Sequence, residues 1–267
     1  MKSSRIKNVL ILIFMIISSI SCALKDYDDP EVDVSQDGQA ITRSSAEKIF
    51  PVRPGTAEWS LLKTERERVV ALQVPESVLA ALSSKEVANL CIDFPAFYYF
   101  NFFEPPQNGF SIMTESFNLF KHFLSLNDAG KYLIPAYKDA DMKGFRTLPH
   151  SNELWTIKLK YLELLLVQKA VLQSLTPEEK FELIAEARVK LTEKIHDAAF
   201  GSVPGIEPSL RIMATILDME KYPGLGAVSD KEAANQLIQT GSLGNLSLID
   251  EIAKITDEYI TGKSKIE

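Results

Sequence analysis

The chain has 267 residues, of which 46% are hydrophobic and 24% charged, and its formal net charge is −7 at pH 7. These values are typical of a folded globular protein and exclude a disordered, collagen-like or multispanning chain. The content of Gly (12) and Pro (13) is low for a β-sandwich of this length, so the composition favours a helical fold.

The first 21 residues have the layout of an export signal. Three basic residues lie within the first seven positions, and an unbroken apolar run follows at 9–17. This run is shorter than the roughly 20 residues that cross a bilayer. The sequence therefore predicts a signal peptide at 1–21.

The residues around Cys22 predict a lipid anchor. A small residue, Ser21, directly before a cysteine resembles the lipobox of bacterial lipoproteins, although Ser19 stands where that family usually has Leu. The resemblance implies that Cys22 carries the lipid and begins the mature chain, which would attach the protein to a membrane. Ordinary secretory cleavage and an uncleaved anchor are the alternatives.

Residues 22–55 are polar and have little periodicity, which predicts a flexible acidic tether after the lipidated cysteine. The acidic cluster at 25–30 resembles the signal by which Bacteroidetes lipoproteins reach the outer face of the outer membrane. A solvated linker would have a similar composition. The expected location is therefore the outer membrane or the cell surface.

The charge balance argues against nucleic acid as a partner. Removal of the signal takes three of the 29 basic residues and none of the 36 acidic ones, so the mature chain is still more acidic. Nucleic-acid binding needs clustered Lys and Arg that displace phosphate counterions. We therefore expect no nucleic-acid partner.

From residue 56 the sequence predicts an all-α domain over 56–262, followed by a tail at 263–267. The domain is expected to be an irregular multi-helix bundle or an array of helix pairs, with a subdivision near residue 149 left open. In the first half, caps and apolar spacing mark one helix from Thr56 that ends before Pro75, one capped by Ser83 and Glu86 that ends near Ile92, and helices over 108–126 and 128–137. In the second half, the same signals mark a helix over 153–174 and a helix capped by Thr176 and Glu179, which is followed by an interruption from Gly201 to Pro208. After the interruption they mark a helix over 210–219, a helix capped by Ser229 and Glu232, and a helix over 247–260.

The residue pattern contains no catalytic or metal-binding arrangement. The three histidines, His122, His150 and His196, are far apart in sequence. Glu193 and His196 form a single i, i+3 pair, whereas a di-iron site needs two such pairs and further carboxylates. Cys91 has apolar neighbours and is interpreted as a core residue. We expect no cofactor, no metal and no enzyme activity.

Seven aromatic residues within 94–103 are the most distinctive feature of the sequence. Aromatic rings bury large areas, so one interpretation is a core nucleus. Seven rings in ten residues do not easily fit on one side of one helix, however, and exposed apolar patches mark binding sites. The other interpretation is a contact surface for a protein or glycan ligand, formed by Tyr98, Tyr99, Phe102 and Phe103.

A series of short motifs, made of capping and apolar residues, extends over residues 54–222. The motifs are Pro54-Gly55-Thr56-Ala57-Glu58-Trp59, Val74-Pro75-Glu76, Leu82-Ser83-Ser84, Asn89-Leu90-Cys91, Phe94-Pro95, Asn108-Gly109-Phe110, Phe117-Asn118-Leu119-Phe120, Asp128-Ala129-Gly130 and Arg211-Ile212-Met213. This series resembles a group of secreted Bacteroidetes lipoproteins with a single all-helical domain and no assigned activity. The resemblance implies an exported helical domain and supplies no catalytic residues.

These observations predict a lipid-anchored protein that is a non-catalytic binding module. Its expected partners are the membrane, through the N-terminal lipid, and a protein or glycan ligand. One alternative is an extracellular glycan-acting enzyme with carboxylates beside the aromatic cluster, such as Glu104 and Asp93. Another alternative is a purely structural component of the envelope.

Overall fold

The computed structural model describes residues 46–140, 152–197, 200 and 202–263. These residues form α-helices and 3₁₀ helices without any β-strand, so the predicted all-α, multi-helix fold is confirmed. No helix among them is long and apolar enough to cross a membrane. The predicted signal peptide, Cys22, most of the tether, His150 and the subdivision near residue 149 lie outside the described residues.

Short connections join most of the successive helices within the described residues. The first half contains α1 (Ala57–Leu61), α2 (Glu65–Ala71), α3 (Glu76–Leu79), α4 (Ser84–Ile92), a 3₁₀ helix (Phe97–Phe102), α5 (Pro106–Ser116), α6 (Asn118–Ser125), a 3₁₀ helix (Gly130–Tyr132) and α7 (Leu133–Asp139). The second half contains α8 (Asn152–Leu166), α9 (Lys169–Ser174), α10 (Pro177–Ile195), α11 (Val203–Met219), a 3₁₀ helix (Pro223–Ala227), α12 (Lys231–Thr240) and α13 (Ser247–Lys263).

The packed structure begins before residue 56. A helical turn at 46–49 leads to Phe50, which is fully buried. The ring of Phe50 lies edge-on to the ring of Phe94, with centroids 5.7 Å apart. The end of the segment that the sequence assigned to the tether therefore packs against the core.

Three helix starts agree with the sequence prediction. Thr56 accepts a hydrogen bond from the backbone N–H of Trp59, and Ser83 and Thr176 each form a capping box with the Glu three residues later. These bonds satisfy N–H groups that have no partner within the first helical turn. The caps depend only on neighbouring residues, which is why the sequence predicts them.

The helix predicted from Thr56 to the residue before Pro75 is in fact two helices. The first ends at Leu61, and the second begins after Thr64, whose hydroxyl and backbone form a capping box with Glu67. The apolar spacing continues across the break, but the second capping box starts a new helix.

The helix predicted over 108–126 is also divided, because Phe117 has an extended backbone conformation. Long-range side-chain bonds hold this break. The amide of Gln73 donates to the carbonyl of Ser116 at 2.8 Å and accepts from the N–H of Asn118 at 3.1 Å. The side chain of Asn118 in turn bonds both backbone groups of Val74. Gln73 and Asn118 thus replace helical hydrogen bonds at this position.

The helix predicted over 153–174 is divided at Gln168, whose backbone is extended. The Gln168 amide donates to the carbonyl of Leu164 at 2.6 Å and forms a reciprocal amide pair with Gln107 on α5, at 3.1 and 3.2 Å. The break therefore ends α8 before Gln168 and connects the junction between α8 and α9 to α5.

Two further helix starts differ from the prediction. Helix α11 begins at Val203 and continues through Pro208, whereas the sequence predicted an interruption there. Pro204 occupies the first turn, where no N–H is needed, and Pro208 removes only one helical bond. Helix α12 has Asp230 as its N-cap, because Ser229 instead binds a carboxylate on α13.

Helix α11 is at the centre of the second half. It packs most extensively against α10 and also contacts α8, α12 and α13. Helix α5 packs against the aromatic 3₁₀ helix at Phe97–Phe102, which in turn contacts α8. Helix α5 also contacts α8 and α12, so α5, α8, α11 and α12 pack together beside the aromatic 3₁₀ helix.

Candidate ligand-binding site

The aromatic 3₁₀ helix at Phe97–Phe102 has residues in the core and residues at the surface. Phe100 is fully buried, and its ring stacks on Tyr161 with centroids 5.9 Å apart. At Gly109 the backbone of α5 comes so close that an added Cβ would lie 2.5 Å from the carbonyl oxygen of Phe100. The core interpretation of the aromatic cluster therefore applies to part of it.

Three of the four predicted contact residues lie together. The rings of Tyr98, Tyr99 and Phe102 are half-buried and contact one another at centroid distances of 5.5, 6.2 and 6.3 Å. We call these three residues the aromatic face. Burial raises the pKa of both tyrosines. Phe103 is not part of this ring cluster and instead lines a cavity.

The cavity has a volume of about 70 Å³ and lies between the aromatic 3₁₀ helix, α5, α8, α11 and the end of α12. Two helices supply most of its charged groups. Helix α8 contributes Lys160, Glu163, Leu164 and Val167, and helix α11 contributes Pro204, Glu207, Pro208 and Arg211. Both sets have the spacing i, i+3, i+4, i+7 that defines one face of a helix. Each helix therefore presents a face of mixed apolar and charged residues to the cavity.

Glu163 belongs to a fully buried polar network at the wall of the cavity. Its Oε1 accepts hydrogen bonds from the hydroxyls of Tyr137 (2.8 Å) and Ser209 (2.5 Å). Its Oε2 accepts a hydrogen bond from Nζ of Lys194 at 2.5 Å. Burial lowers the pKa of Lys194 and, together with the charge of Glu163, raises the pKa of Tyr137. Both carboxylate oxygens are thus occupied, and the network joins α7, α8, α10 and α11.

Arg211 is a second wall residue whose bonds are already made. It donates to the carbonyl groups of Ile238 and Gln239 at 3.1 Å each, and to Oε1 of Gln107 at 2.8 Å. Burial lowers the pKa of Arg211 to about 10. Its guanidinium therefore caps the C-terminal end of α12, where Gly241 has the left-handed conformation (φ 86°).

Lys160 differs from Glu163 and Arg211 because its ammonium group has no hydrogen-bond or ion-pair partner in the part of the chain that the structure describes. Among the described residues it forms neither a hydrogen bond nor an ion pair, although it is half-buried and lines the cavity. Burial lowers the pKa of Lys160, and the charges of Glu163 and Glu207 oppose that shift. The cavity therefore contains one cation that is positioned but not used by the fold.

Two carboxylates face the same space. Glu207 accepts a hydrogen bond from the backbone N–H of Leu243 at 2.7 Å through Oε1. Burial raises the pKa of Glu207, and the negative charge of Glu104 adds to this shift. Glu104 is exposed and also lines the cavity. The cavity thus combines an ammonium group with two neighbouring acids.

Of the residues that line this cavity, only Glu104 and Phe103 are candidate functional residues on the sequence alone. Asp93, the other carboxylate of the enzyme alternative, is not part of the cavity lining and lies 3.7 Å from Nζ of Lys158. Lys160, Glu163 and Glu207 were missed. For Lys160 and Glu163 the available signal was charge at helical spacing on the apolar face of the helix predicted over 153–174. Glu207 gave no such signal, because the sequence predicted an interruption from Gly201 to Pro208.

Comparison with protein-family models, with curated proteins and with solved structures finds no match for this chain.

Proposed function

We propose that the chain is a lipid-anchored protein of the outer membrane or cell surface that acts by binding, and that its ligand occupies the cavity beside the aromatic 3₁₀ helix. The export signal and the lipobox resemblance around Cys22 support the location. The observation that supports binding is the ammonium group of Lys160, which lines the cavity and has no hydrogen bond or ion pair within the described ranges.

The remaining wall groups favour a preformed site. Glu163 and Arg211 already have their hydrogen-bond partners, so a ligand does not have to reorganise them. Preorganised polar groups within a largely apolar wall are typical of small-molecule sites, because the ordering cost is met during folding. Lys160 gains a partner only when a ligand or water supplies an acceptor.

A thermal-shift screen of the full-length protein in detergent tests this proposal. The panel contains sugars, carboxylic acids, amines and amino acids. We expect at least one class to raise the melting temperature of the wild-type protein but not of Lys160→Met. Lys169→Met is the matched control, because Lys169 is an exposed lysine outside the cavity. If no compound raises the melting temperature, the envelope-structural alternative replaces this proposal.

The lipid anchor requires its own experiment. Metabolic labelling with a fatty acid should label the wild-type protein and should not label Cys22→Ala. The variant should also be released from the membrane fraction. Unchanged retention of Cys22→Ala would contradict the anchor.

A glycan-acting enzyme is the second candidate, because the pKa of Glu207 is raised beside a second carboxylate. In glycosidases, the two catalytic carboxyl groups have different pKa values because their environments differ, and this difference decides which group is the acid and which is the base. This alternative predicts that surface glycans are cleaved by the wild-type protein and not by Glu207→Gln. The binding proposal predicts no cleavage by either protein.

A further inference from the structure

We infer that the cavity binds a small zwitterion, which carries a carboxylate and a primary ammonium group, with a free α-amino acid as the simplest case. This inference rests on the proposed function and specifies the ligand class of the same site. It follows from the charged groups that line the cavity and that, among the described residues, retain unused hydrogen-bonding capacity, and from the size of the cavity.

Lys160 supplies the group that recognises a carboxylate. Its ammonium has three donors, and none of them is used among the described residues. Arg211 lies in the same wall, but it is already bonded to the end of α12 and to Gln107. A ligand carboxylate therefore has one available cation, with a second positive charge nearby.

Glu207 and Glu104 supply the groups that recognise an ammonium. Within the described part of the chain, only Oε1 of Glu207 accepts a hydrogen bond, from the N–H of Leu243. The negative charge of Glu104 raises the pKa of Glu207 and so shows a repulsion between the two acids, which the charge of Lys160 offsets in part. A positive ligand group beside them would relieve that repulsion. Glu163 does not compete for this group, because three buried donors already bind its two oxygens.

The volume and the walls of the cavity limit the ligand to a small molecule. A buried water needs about 10–15 Å³ on this scale, so a cavity of 70 Å³ holds roughly five to seven waters, which corresponds to a ligand of about as many non-hydrogen atoms. Phe103, Leu164 and Pro208 provide apolar walls, which suit a short aliphatic side chain between the two charged ends.

The test uses calorimetric titration of the full-length protein in detergent with each proteinogenic amino acid in turn. The amino acid that binds most tightly is then compared with its C-terminal amide and its N-acetyl derivative. Each derivative removes one of the two charges. We expect each to bind about 10- to 100-fold more weakly to the wild-type protein, which is the usual effect of losing a hydrogen bond to a charged group.

Two variants test which side chain of the protein binds each charge of the ligand. In Lys160→Met the free acid and the amide should bind equally, because the group that distinguishes them is gone. In Glu207→Gln the penalty for N-acetylation should shrink, while the Gln oxygen still accepts from Leu243. Lys169→Met should behave like the wild-type protein.

The outcomes separate this inference from the proposed function. An amide that binds wild-type protein as tightly as the acid overturns the zwitterion, as does an acid preference that survives in Lys160→Met. If no amino acid binds but a sugar or a dicarboxylic acid does so through Lys160, the binding function stands and the zwitterion is wrong. If no compound binds at all, both are wrong.

Discussion

Replacement of Lys194 by Met tests whether the buried network at the cavity wall is essential to the fold. Lys194 and Glu163 are both fully buried, and Nζ lies 2.5 Å from Oε2. The variant leaves Glu163 as a buried carboxylate without its cation. Breaking a buried pair in this way costs about 3–5 kcal/mol. For a domain of roughly 150–250 residues, this corresponds to a loss of about 6–20 °C in melting temperature.

The exposed pair of Lys138 and Glu182 is the matched control. Its N–O distance of 2.6 Å is nearly the same, but the two side chains are 47% and 45% exposed. Exposed pairs contribute about 0.2–1 kcal/mol, so Lys138→Met should have a small effect on the free energy of unfolding. Urea unfolding followed by helical circular dichroism measures both variants. Equal destabilisation by Lys194→Met and Lys138→Met would refute the argument from burial.

A double variant tests whether the unpaired charge is the cause of the instability. Glu163→Met combined with Lys194→Met removes the uncompensated carboxylate, so its cost should be smaller than the sum of the two single costs. Stability should not return fully to that of the wild-type protein, because the hydroxyls of Tyr137 and Ser209 lose their acceptor. Strictly additive costs would show that the two side chains act independently.

Three further predictions concern a close backbone contact, a helix cap and the aromatic face. Gly109→Ala should destabilise the protein by about 1–3 kcal/mol in urea unfolding, because the Cβ of the new alanine would overlap the backbone of the aromatic 3₁₀ helix. Gly226→Ala is the control and should be tolerated, because no atom lies within 4 Å of the position of its Cβ. Hydrogen bonds from Ser83, first from its hydroxyl and second from its backbone N–H, lower the pKa of Glu86 below the ordinary value of 4.5. The cap therefore contributes its full stability above pH 4.5, and this contribution is lost as the pH falls through the lower pKa of the folded state. Acid unfolding followed by circular dichroism should therefore be less steep in Glu86→Gln, and an identical pH profile would contradict this sign. Replacement of the whole aromatic face by Ala should abolish capture of a partner in a pull-down from the cell envelope, and unchanged capture would limit the aromatic face to a packing role.

Local features of the fold are readable from the sequence, whereas its interruptions are not. The boxes at Ser83 and Thr176 involve residues only three positions apart, so the sequence predicts them directly. The break at Phe117 depends on Gln73, which is more than forty residues away, and the break at Gln168 depends on Gln107. Apolar periodicity continues through both breaks, so it cannot reveal them.

The candidate site also has features that the sequence predicts and features that depend on tertiary packing. The aromatic cluster is visible in the sequence, but the side of the 3₁₀ helix that each ring occupies is fixed by α5 and α8. Lys160 and Glu163 lie on the same helix face, yet only Glu163 has a buried cation opposite it, on α10. Which charge is paired and which remains available is therefore a property of tertiary packing.

Arg211 joins two helices that are distant in sequence, since Gln107 on α5 precedes it by 104 positions. The two other acceptors of Arg211 are carbonyl groups in the last turn of α12. Fraying of that turn removes these acceptors and loosens the hold of the guanidinium on α5. We therefore expect the last turn of α12 and the cavity wall to open together, so an occupied cavity should slow amide hydrogen exchange in that turn.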